Sequence, residues 1–309
     1  MSLLDDLRVG GKPALARALN DIEAPAGEGP VTGLLDEAYA NPRGHVLGLT
    51  GPPGVGKSTL IAALIRELRG QDRSVGVIAV DPSSRASRGA LLGDRTRFVT
   101  DPEDGGVFVR SMAARERMGG LSDITYPAMV LMRALFDVVI VETVGVGQSE
   151  TDIVDIADTV VLCAQPGAGD ALQFMKAGVM EIPDLVAVTK ADLGALARRA
   201  VADLKGALSL AAGRRGSAVP PVLSCSAASG EGIEELAAEL LGRAGAAADV
   251  SRRQAQGAHW LTAHLGELFG REGVAKLRQA GLLAGESAPF GRAAALAERF
   301  RAAISAADL

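Results

Sequence analysis

The chain has 309 residues, of which 48% are hydrophobic and only 3% aromatic, and its formal net charge is −5. This charge gives no electrostatic reason to expect binding to nucleic acid or to an anionic membrane surface. The length allows one large domain with additions or two domains. Because aromatic residues are scarce, Val, Leu, Ile and Ala must build the core, which suits a sheet covered on both faces by helices.

The first residues, 1–6, contain two acids and no basic segment leading into a long apolar core. We therefore expect no signal peptide. No run approaches the roughly 18 apolar residues that a membrane-spanning helix needs. Cys163 and Cys225 each lie in an apolar run, which predicts buried, reduced side chains rather than a disulfide. These features together predict a cytoplasmic protein.

Residues 1–44 predict an N-terminal helical extension, since two helical patterns are separated by a Gly- and Pro-rich break at 26–30. From 45 to about 245, short apolar runs alternate with helical patterns. The predicted strands are 45–50, 75–80, 107–110, 137–142, 159–164, 185–189 and 222–226. This alternation predicts an α/β fold with a mainly parallel central sheet flanked by helices.

The C-terminal part, 246–309, predicts a helical arm, and the Gly- and Ala-rich segment 242–248 before it predicts a linker. Two apolar stripes at helical spacing support the arm: Leu261, Leu265 and Leu268 share one face, and Leu296, Phe300 and Ile304 share another. Such stripes must be buried. They could pack back onto the α/β domain or form a homodimer interface, and the pattern favours neither.

The segment 51–59, GPPGVGKST, fits the phosphate-binding pattern G-x-x-x-x-G-K-[ST] between a predicted strand and a predicted helix. Backbone N–H groups of such a loop surround a phosphate, and the following helix adds its partial positive charge. Lys57 is predicted to reach the β- and γ-phosphates, and Ser58 to hold Mg²⁺. The predicted nucleotide contacts are Gly51, Pro52, Pro53, Gly54, Val55, Gly56, Lys57, Ser58 and Thr59.

The predicted strand 185–189 leads into Thr189, Lys190, Ala191 and Asp192, which fit the [NT]-K-x-D pattern of guanine recognition in P-loop GTPases. An ionised Asp192 can accept two hydrogen bonds from guanine, and adenine cannot supply that pair of donors. The last predicted strand, 222–226, ends at Ser226 and is followed by Ala227 and Ala228, where a backbone N–H would meet the base oxygen. The predicted nucleotide is therefore GTP or GDP.

Two segments predict switch regions. Glu142 ends a buried strand, where a carboxylate suits Mg²⁺, and the N–H of Gly145 would sense the γ-phosphate. Gln148 would either orient the attacking water or form polar surface. Asp81 and Asp94 follow the second predicted strand, where they suit switch I and the metal shell or belong to ordinary turns, since Asp-Pro and Ser-Ser are common in loops.

The segments ETVGVGQSE (142–150), PGAGD (166–170), DPSS (81–84), LGDRTR (92–97) and TKAD (189–192) together resemble the MeaB/ArgK family of GTPases. These are chaperones associated with methylmalonyl-CoA mutase, and they include the human methylmalonic aciduria type A protein. The resemblance covers the P-loop GTPase domain and the placement of both helical extensions. It implies a homodimer joined through the C-terminal helices.

The resemblance also implies a function, in which Mg²⁺-dependent hydrolysis of GTP gates adenosylcobalamin loading and protects or reactivates a cobalamin-dependent acyl-CoA mutase. By the same resemblance, Asp170 and Lys176 are catalytic relay candidates, and Ser58, Asp81, Asp94 and Glu142 form the metal shell. The chain departs from the family pattern at 85–89 and 116–120, which leaves the identity of the client mutase open.

Two other functions stay open at this point. A small-molecule kinase of the arginine or ornithine type would need adenine preference and an acceptor site. A metal-insertion GTPase for a nickel or cobalt enzyme normally carries Cys or His ligands, a pattern that this sequence lacks.

Overall fold

The computed structural model of the protein describes residues 2–23, 30–81, 101, 103–113, 124–143, 152–167, 182–215, 218–245, 250–283, 285 and 288–306. The chain divides into two compact units. One unit is built from three separate segments, 1–43, 123–135 and 249–309, and the other contains 44–122 and 136–248. We call them the helical unit and the nucleotide unit.

The nucleotide unit is organised around a sheet of seven strands. These strands are β1 (His45–Thr50), β2 (Val75–Asp81), β3 (Val107–Ala113), β4 (Val138–Glu142), β5 (Thr159–Ala164), β6 (Leu185–Val188) and β7 (Val222–Ser224). Their order is β3-β2-β4-β1-β5-β6-β7, and every pairing is parallel. The predicted α/β fold with a parallel sheet is thus confirmed.

The α-helices within the described residues are α1 (Leu3–Glu23), α2 (Pro30–Ala40), α3 (Lys57–Gly70), α4 (Thr125–Arg133), α5 (Ala195–Arg215), α6 (Ile233–Gly245), α7 (Val250–Gln279) and α8 (Pro289–Ala306). Helix α1 breaks at Gly11 and α7 at Gly270, where φ is 59° and 68°. Helix α6 continues to Gly245, so the linker prediction was wrong over 242–245. Leu240 is buried against the core that α3 also covers, and this packing outweighs the weak helix propensity of glycine.

Alternation along the strands sends side chains to both faces of the sheet. On one face, Leu49 and Ile140 pack with Leu64 of α3 and Leu236 of α6. On the other face, residues of β5 and β6 pack with Leu208 of α5. The core of the sheet is aliphatic, as the composition predicts.

Aspartates stand immediately before three of the strands and tie them to their neighbours. Their Oδ2 atoms accept backbone N–H groups, with Asp137 bonding Ser74 at 2.8 Å, Asp158 bonding Val46 at 2.9 Å and Asp184 bonding Val160 at 2.8 Å. A slip of one residue would turn every side chain of a strand to the other face. These three carboxylates therefore fix the register at the amino end of the sheet.

The helical unit contains a cluster of aromatic side chains. Tyr126 and Trp260 stack with ring centroids 5.9 Å apart, Trp260 and Phe290 are 4.7 Å apart, and Tyr39 meets Phe290 edge-on. Both tyrosines and the single tryptophan of the chain thus lie in one cluster. Such ring pairs add stabilisation beyond their buried area.

The predicted C-terminal stripes are partly buried within the chain. Leu261 and Leu265 of α7 pack with Leu296 of α8. Leu268 is 47% exposed and Phe300 is 39% exposed, so these two side chains are not buried within the chain, and whether a second copy covers them stays a prediction. Leu268 precedes the break at Gly270, and the side chain of Ile304 lies outside the described residues. Within the described part of the chain, each helix is too short or too polar to cross a membrane.

Candidate nucleotide-binding site

The P-loop connects β1 to α3 at the carboxyl end of the sheet. Gly51, Gly54 and Gly56 have φ values of 136°, 75° and 102°, which glycine adopts without steric cost. A Cβ atom on Gly51 would lie 2.4 Å from the carbonyl oxygen of Cys163. Val55 is fully buried and fixes the middle of the loop in the core. The glycine pattern is thus required by the backbone path itself.

The Lys57 side chain folds over the P-loop. Its Nζ donates to the carbonyl oxygen of Gly51 at 2.7 Å and to that of Pro52 at 3.1 Å. The residue is only 7% exposed. The ammonium group is therefore held by two loop carbonyls in the position from which it could turn to a phosphate.

Ser58 and Glu142 bring two oxygen ligands together. Ser58 Oγ donates to Glu142 Oε1 at 2.9 Å, joining the start of α3 to the end of β4. Glu142 is buried. A hydroxyl and a carboxylate are the kinds of ligand that Mg²⁺ prefers, so this donor set fits the metal. Asp81 is the last residue of β2 and its side chain lies outside the described residues.

The segment after β6 contacts the P-loop directly. Thr189 Oγ1 donates to the carbonyl oxygen of Val55 at 2.7 Å and also lies 3.1 Å from that of Ala164. Lys190 Nζ donates to the carbonyl oxygen of Gly54 at 3.4 Å and to Gln165 Oε1. Two consecutive residues of the predicted guanine-recognition segment therefore contact two consecutive residues of the phosphate loop.

The segments after β6 and β7 are also joined. Ser226 Oγ donates to Asp192 Oδ1 at 2.6 Å, and the Ala191 N–H donates to the Cys225 carbonyl at 3.0 Å. The N–H of Ser226 itself donates to Glu231. An amide for the base oxygen would therefore come from Ala227 or Ala228 rather than from Ser226.

Two buried threonines that the sequence patterns did not single out lie beside the P-loop and Glu142, since Thr50 directly precedes the loop and Thr143 directly follows Glu142. Thr143 Oγ1 donates to Thr50 Oγ1 at 3.2 Å, and the two residues are 1% and 0% exposed. The available signal was a hydroxyl residue at the end of each of two apolar strands. Gln165, which accepts from Lys190, was also missed.

Five predicted site residues lie outside the described residues, and their roles stay predictions: Asp94, Gly145, Gln148, Asp170 and Lys176. Among the residues that the structure describes, no three His, Cys, Asp or Glu side chains come close enough to hold a metal ion. Of the four residues in the predicted metal shell, the structure therefore describes the side chains of two, Ser58 and Glu142.

Both cysteines are free and buried, as predicted. Burial raises the pKa of the Cys163 thiol to about 12 and that of Cys225 to about 11. Since the thiolate is the reactive form, these side chains act as small apolar groups behind the nucleotide site.

A parallel sheet with a P-loop after β1, a buried carboxylate at the end of β4 and a TKAD segment after β6 defines a P-loop GTPase. The family profile described as methylmalonyl Co-A mutase-associated GTPase MeaB matches residues 15–272. The chain therefore belongs to the MeaB family.

Individual relatives agree with this assignment. A putative GTPase of Pyrococcus horikoshii is 48% identical over 192 residues, which are 62% of this chain and 60% of that protein. The methylmalonic aciduria type A homolog of Mus musculus is 44% identical over 195 residues, covering 62% of this chain and 46% of that protein. The match thus spans three fifths or less of each of these two relatives. A crystal structure of an LAO/AO transport system kinase superposes with a TM-score of 0.67 at 30% identity, over 91% of this chain and 89% of that one.

Proposed function

We propose that this protein binds GTP together with Mg²⁺ and hydrolyses it to GDP and phosphate. The observation that carries the proposal is the pair of contacts from Thr189 and Lys190 to the P-loop carbonyls of Val55 and Gly54. They make the guanine-recognition segment and the phosphate loop one hydrogen-bonded assembly, so a guanine nucleotide would meet both at once.

The chemistry would depend on positioning and electrostatics, as phosphoryl transfer generally does. Lys57 would exchange its two carbonyl acceptors for β- and γ-phosphate oxygens, and the P-loop N–H groups would stabilise the same charge. Ser58 and Glu142 would hold Mg²⁺, which neutralises charge on the β- and γ-phosphates when bound. We assign sensing of the γ-phosphate to the Gly145 N–H and orientation of the attacking water to Gln148.

We further propose that the GTPase cycle serves an adenosylcobalamin-dependent acyl-CoA mutase, gating loading of the cofactor and protecting or reactivating the enzyme. The family description names an association with methylmalonyl-CoA mutase, and the mouse relative is named for methylmalonic aciduria. Asp170 and Lys176 would relay the nucleotide state to the client. A homodimer through α7 and α8 would present two such sites, and the exposed Leu268 and Phe300 are apolar side chains available to its interface.

The test is phosphate release from GTP and from ATP, with and without methylmalonyl-CoA mutase and other adenosylcobalamin-dependent acyl-CoA mutases. We expect slow hydrolysis of GTP alone and acceleration by one mutase. Equal or greater hydrolysis of ATP would contradict the guanine assignment. A GTP rate that no mutase changes, together with no effect on cofactor loading, would contradict the chaperone role.

A small-molecule kinase is the second candidate, because the structure with a TM-score of 0.67 carries the name of a transport system kinase. It predicts transfer of the terminal phosphate of ATP to an acceptor such as arginine or ornithine. Labelled γ-phosphate recovered on the amino acid would support it. Recovery of all the label as inorganic phosphate, from GTP alone, would support the GTPase.

A further inference from the structure

Two threonines mark the place where strands β1 and β4 leave the sheet. Thr50 is the last residue of β1, and Thr143 directly follows β4. The Thr143 N–H donates to the Leu49 carbonyl at 3.1 Å, which extends the pairing of the two strands by one residue. Thr143 Oγ1 in turn donates to Thr50 Oγ1 at 3.2 Å, the shorter of its two contacts, and lies 3.5 Å from the Leu49 carbonyl oxygen. The two segments that flank the phosphate site are therefore cross-linked through their side chains.

This cross-link lies on the opposite face of the sheet from the metal ligands. Leu49 is in register with Glu142, so Thr50 stands opposite Thr143. Since successive side chains alternate between the faces, Glu142 points toward α3 and Thr143 points away from it. On the α3 face, Glu142 accepts a hydrogen bond from Ser58 at 2.9 Å. On the opposite face, Thr143 donates a hydrogen bond to Thr50 at 3.2 Å. The end of β4 is thus held to the P-loop from both faces.

The chemistry of the pair indicates positioning rather than filling of space. Thr50 and Thr143 are 0% and 1% exposed, and a buried hydroxyl is costly unless it is hydrogen-bonded. Valine would occupy nearly the same volume without that cost. Two hydroxyls add a directional hydrogen bond between β1, which leads into the P-loop, and β4, which carries Glu142.

We propose that the Thr50–Thr143 hydroxyl pair is a positioning element for GTP hydrolysis, which holds the end of β4, and with it the Glu142 carboxylate, beside Ser58, where the two side chains would hold Mg²⁺. The proposal rests on the GTPase function proposed above. It predicts that loss of the pair impairs turnover and Mg²⁺ binding while nucleotide recognition by the P-loop amides and by Asp192 is retained.

The experiment compares Thr50→Val, Thr143→Val and the double variant of the full chain. We expect kcat to fall roughly tenfold in each single variant while KM for GTP stays within about twofold, because the lost interaction acts on the transition state. Release of a fluorescent GDP analogue is then measured at increasing Mg²⁺ concentrations. The concentration that slows release half-maximally should rise about fivefold or more, because the metal ligands are less well oriented. The double variant should be no slower than either single, because coupled residues are non-additive.

Two further variants separate positioning from general stability. Thr143→Ser keeps the hydroxyl and should restore both kcat and the Mg²⁺ dependence. Thr159→Val is the matched control, since Thr159 is also a buried threonine of the sheet, and its Oγ1 bonds His45 Nε2 at 2.8 Å at the amino end. It should lower the melting temperature without changing kcat or the Mg²⁺ dependence.

Several outcomes would overturn the proposal. It fails if the fold-loss of kcat in the double variant is the product of the two single losses, or if Thr143→Ser remains as slow as Thr143→Val. It also fails if the Mg²⁺ dependence of the valine variants is unchanged. A valine variant that no longer folds would show that the pair is structural. If the wild-type chain hydrolyses no GTP at any Mg²⁺ concentration, the proposed function itself fails and this inference with it.

Discussion

The Ser226 hydroxyl donates a hydrogen bond to Asp192 Oδ1 at 2.6 Å. The bond is charge-assisted and short, as expected for a hydroxyl that donates to a carboxylate. A carboxylate has about four lone-pair sites, so Asp192 keeps acceptor capacity for a base after this bond is made. The serine therefore fixes the direction of the carboxylate before any nucleotide arrives.

The first prediction is a change of base preference in Asp192→Asn. Guanine offers two donors to a carboxylate, whereas xanthine offers a donor beside a carbonyl oxygen, which suits an amide. We expect the affinity for GDP to fall roughly 100-fold, since bonds to a charged group are lost, and the affinity for XDP to rise. Competition against a fluorescent nucleotide measures both.

The matched control is Asp203→Asn on the outer face of α5, where the Asp203 side chain is 63% exposed and lies 3.9 Å from Arg199. It should leave both affinities unchanged. If Asp192→Asn binds GDP as tightly as the wild-type chain does, Asp192 does not contact the base.

The second prediction concerns the backbone of the P-loop. Gly51→Ala would place a Cβ atom 2.4 Å from the Cys163 carbonyl oxygen at a φ of 136°, so β5 or the loop must move. We expect the free energy of unfolding to fall by about 2–4 kcal/mol and nucleotide binding to be lost. Urea denaturation and nucleotide titration provide the measurements.

Gly206→Ala provides the contrast, because Gly206 lies within α5 with open space around its Cβ position. There the same substitution should stabilise the protein by about 0.5–1 kcal/mol. An equal effect of the two alanines would show that the close approach at Gly51 is not rigid.

The third prediction concerns alkaline pH. Burial raises the pKa of Cys163 to about 12 and that of Cys225 to about 11, from an ordinary value of 9.0. Above that ordinary value the unfolded chain loses these protons first, so stability is fully present below pH 9.0 and falls as pH rises toward the folded pKa values. Each thiol should contribute a slope approaching about 1.4 kcal/mol per pH unit.

Urea denaturation of the wild-type chain at about pH 8 and about pH 10, conditions on either side of the ordinary thiol pKa, measures this slope. Cys163→Ala and Cys225→Ala should be less stable at the lower pH but lose less on going to the higher one. Identical pH slopes in all three proteins would rule the thiols out as the cause.

The fourth prediction concerns the aspartates at the amino end of the sheet. Asp184→Ala removes the acceptor of the Val160 N–H, and we expect the free energy of unfolding to fall by about 1–3 kcal/mol. GDP affinity should not change, because the P-loop lies at the opposite end of the strands. Asp184→Asn retains an acceptor oxygen and should lose less. A parallel loss of GDP affinity would show that the two ends of the sheet are coupled.

The strands and the P-loop could be predicted from sequence because their signals are local. Each strand is a short apolar run, and the GPPGVGKST motif stands between a strand and a helix. The continuation of α6 to Gly245 could not be predicted, since burial of Leu240 by other elements decided it. The Thr50–Thr143 contact depends on which strands are neighbours, and local patterns carry no strand order. The aspartate pattern before β4, β5 and β6 is visible in the sequence but takes on meaning only once the parallel neighbours are known.

The helical unit is assembled from segments near both ends of the chain and from one segment near its middle. Tyr39, Tyr126 and Trp260, which meet in its aromatic cluster, are therefore made at widely separated times during synthesis. The first helices leave the ribosome early, but their core is incomplete until α7 and α8 have emerged. The sheet of the nucleotide unit, whose last strand ends at Ser224, is complete before that moment. Synthesis from the amino end thus gives the nucleotide unit the earlier opportunity to fold, and truncation before α7 would leave two tyrosines without their tryptophan.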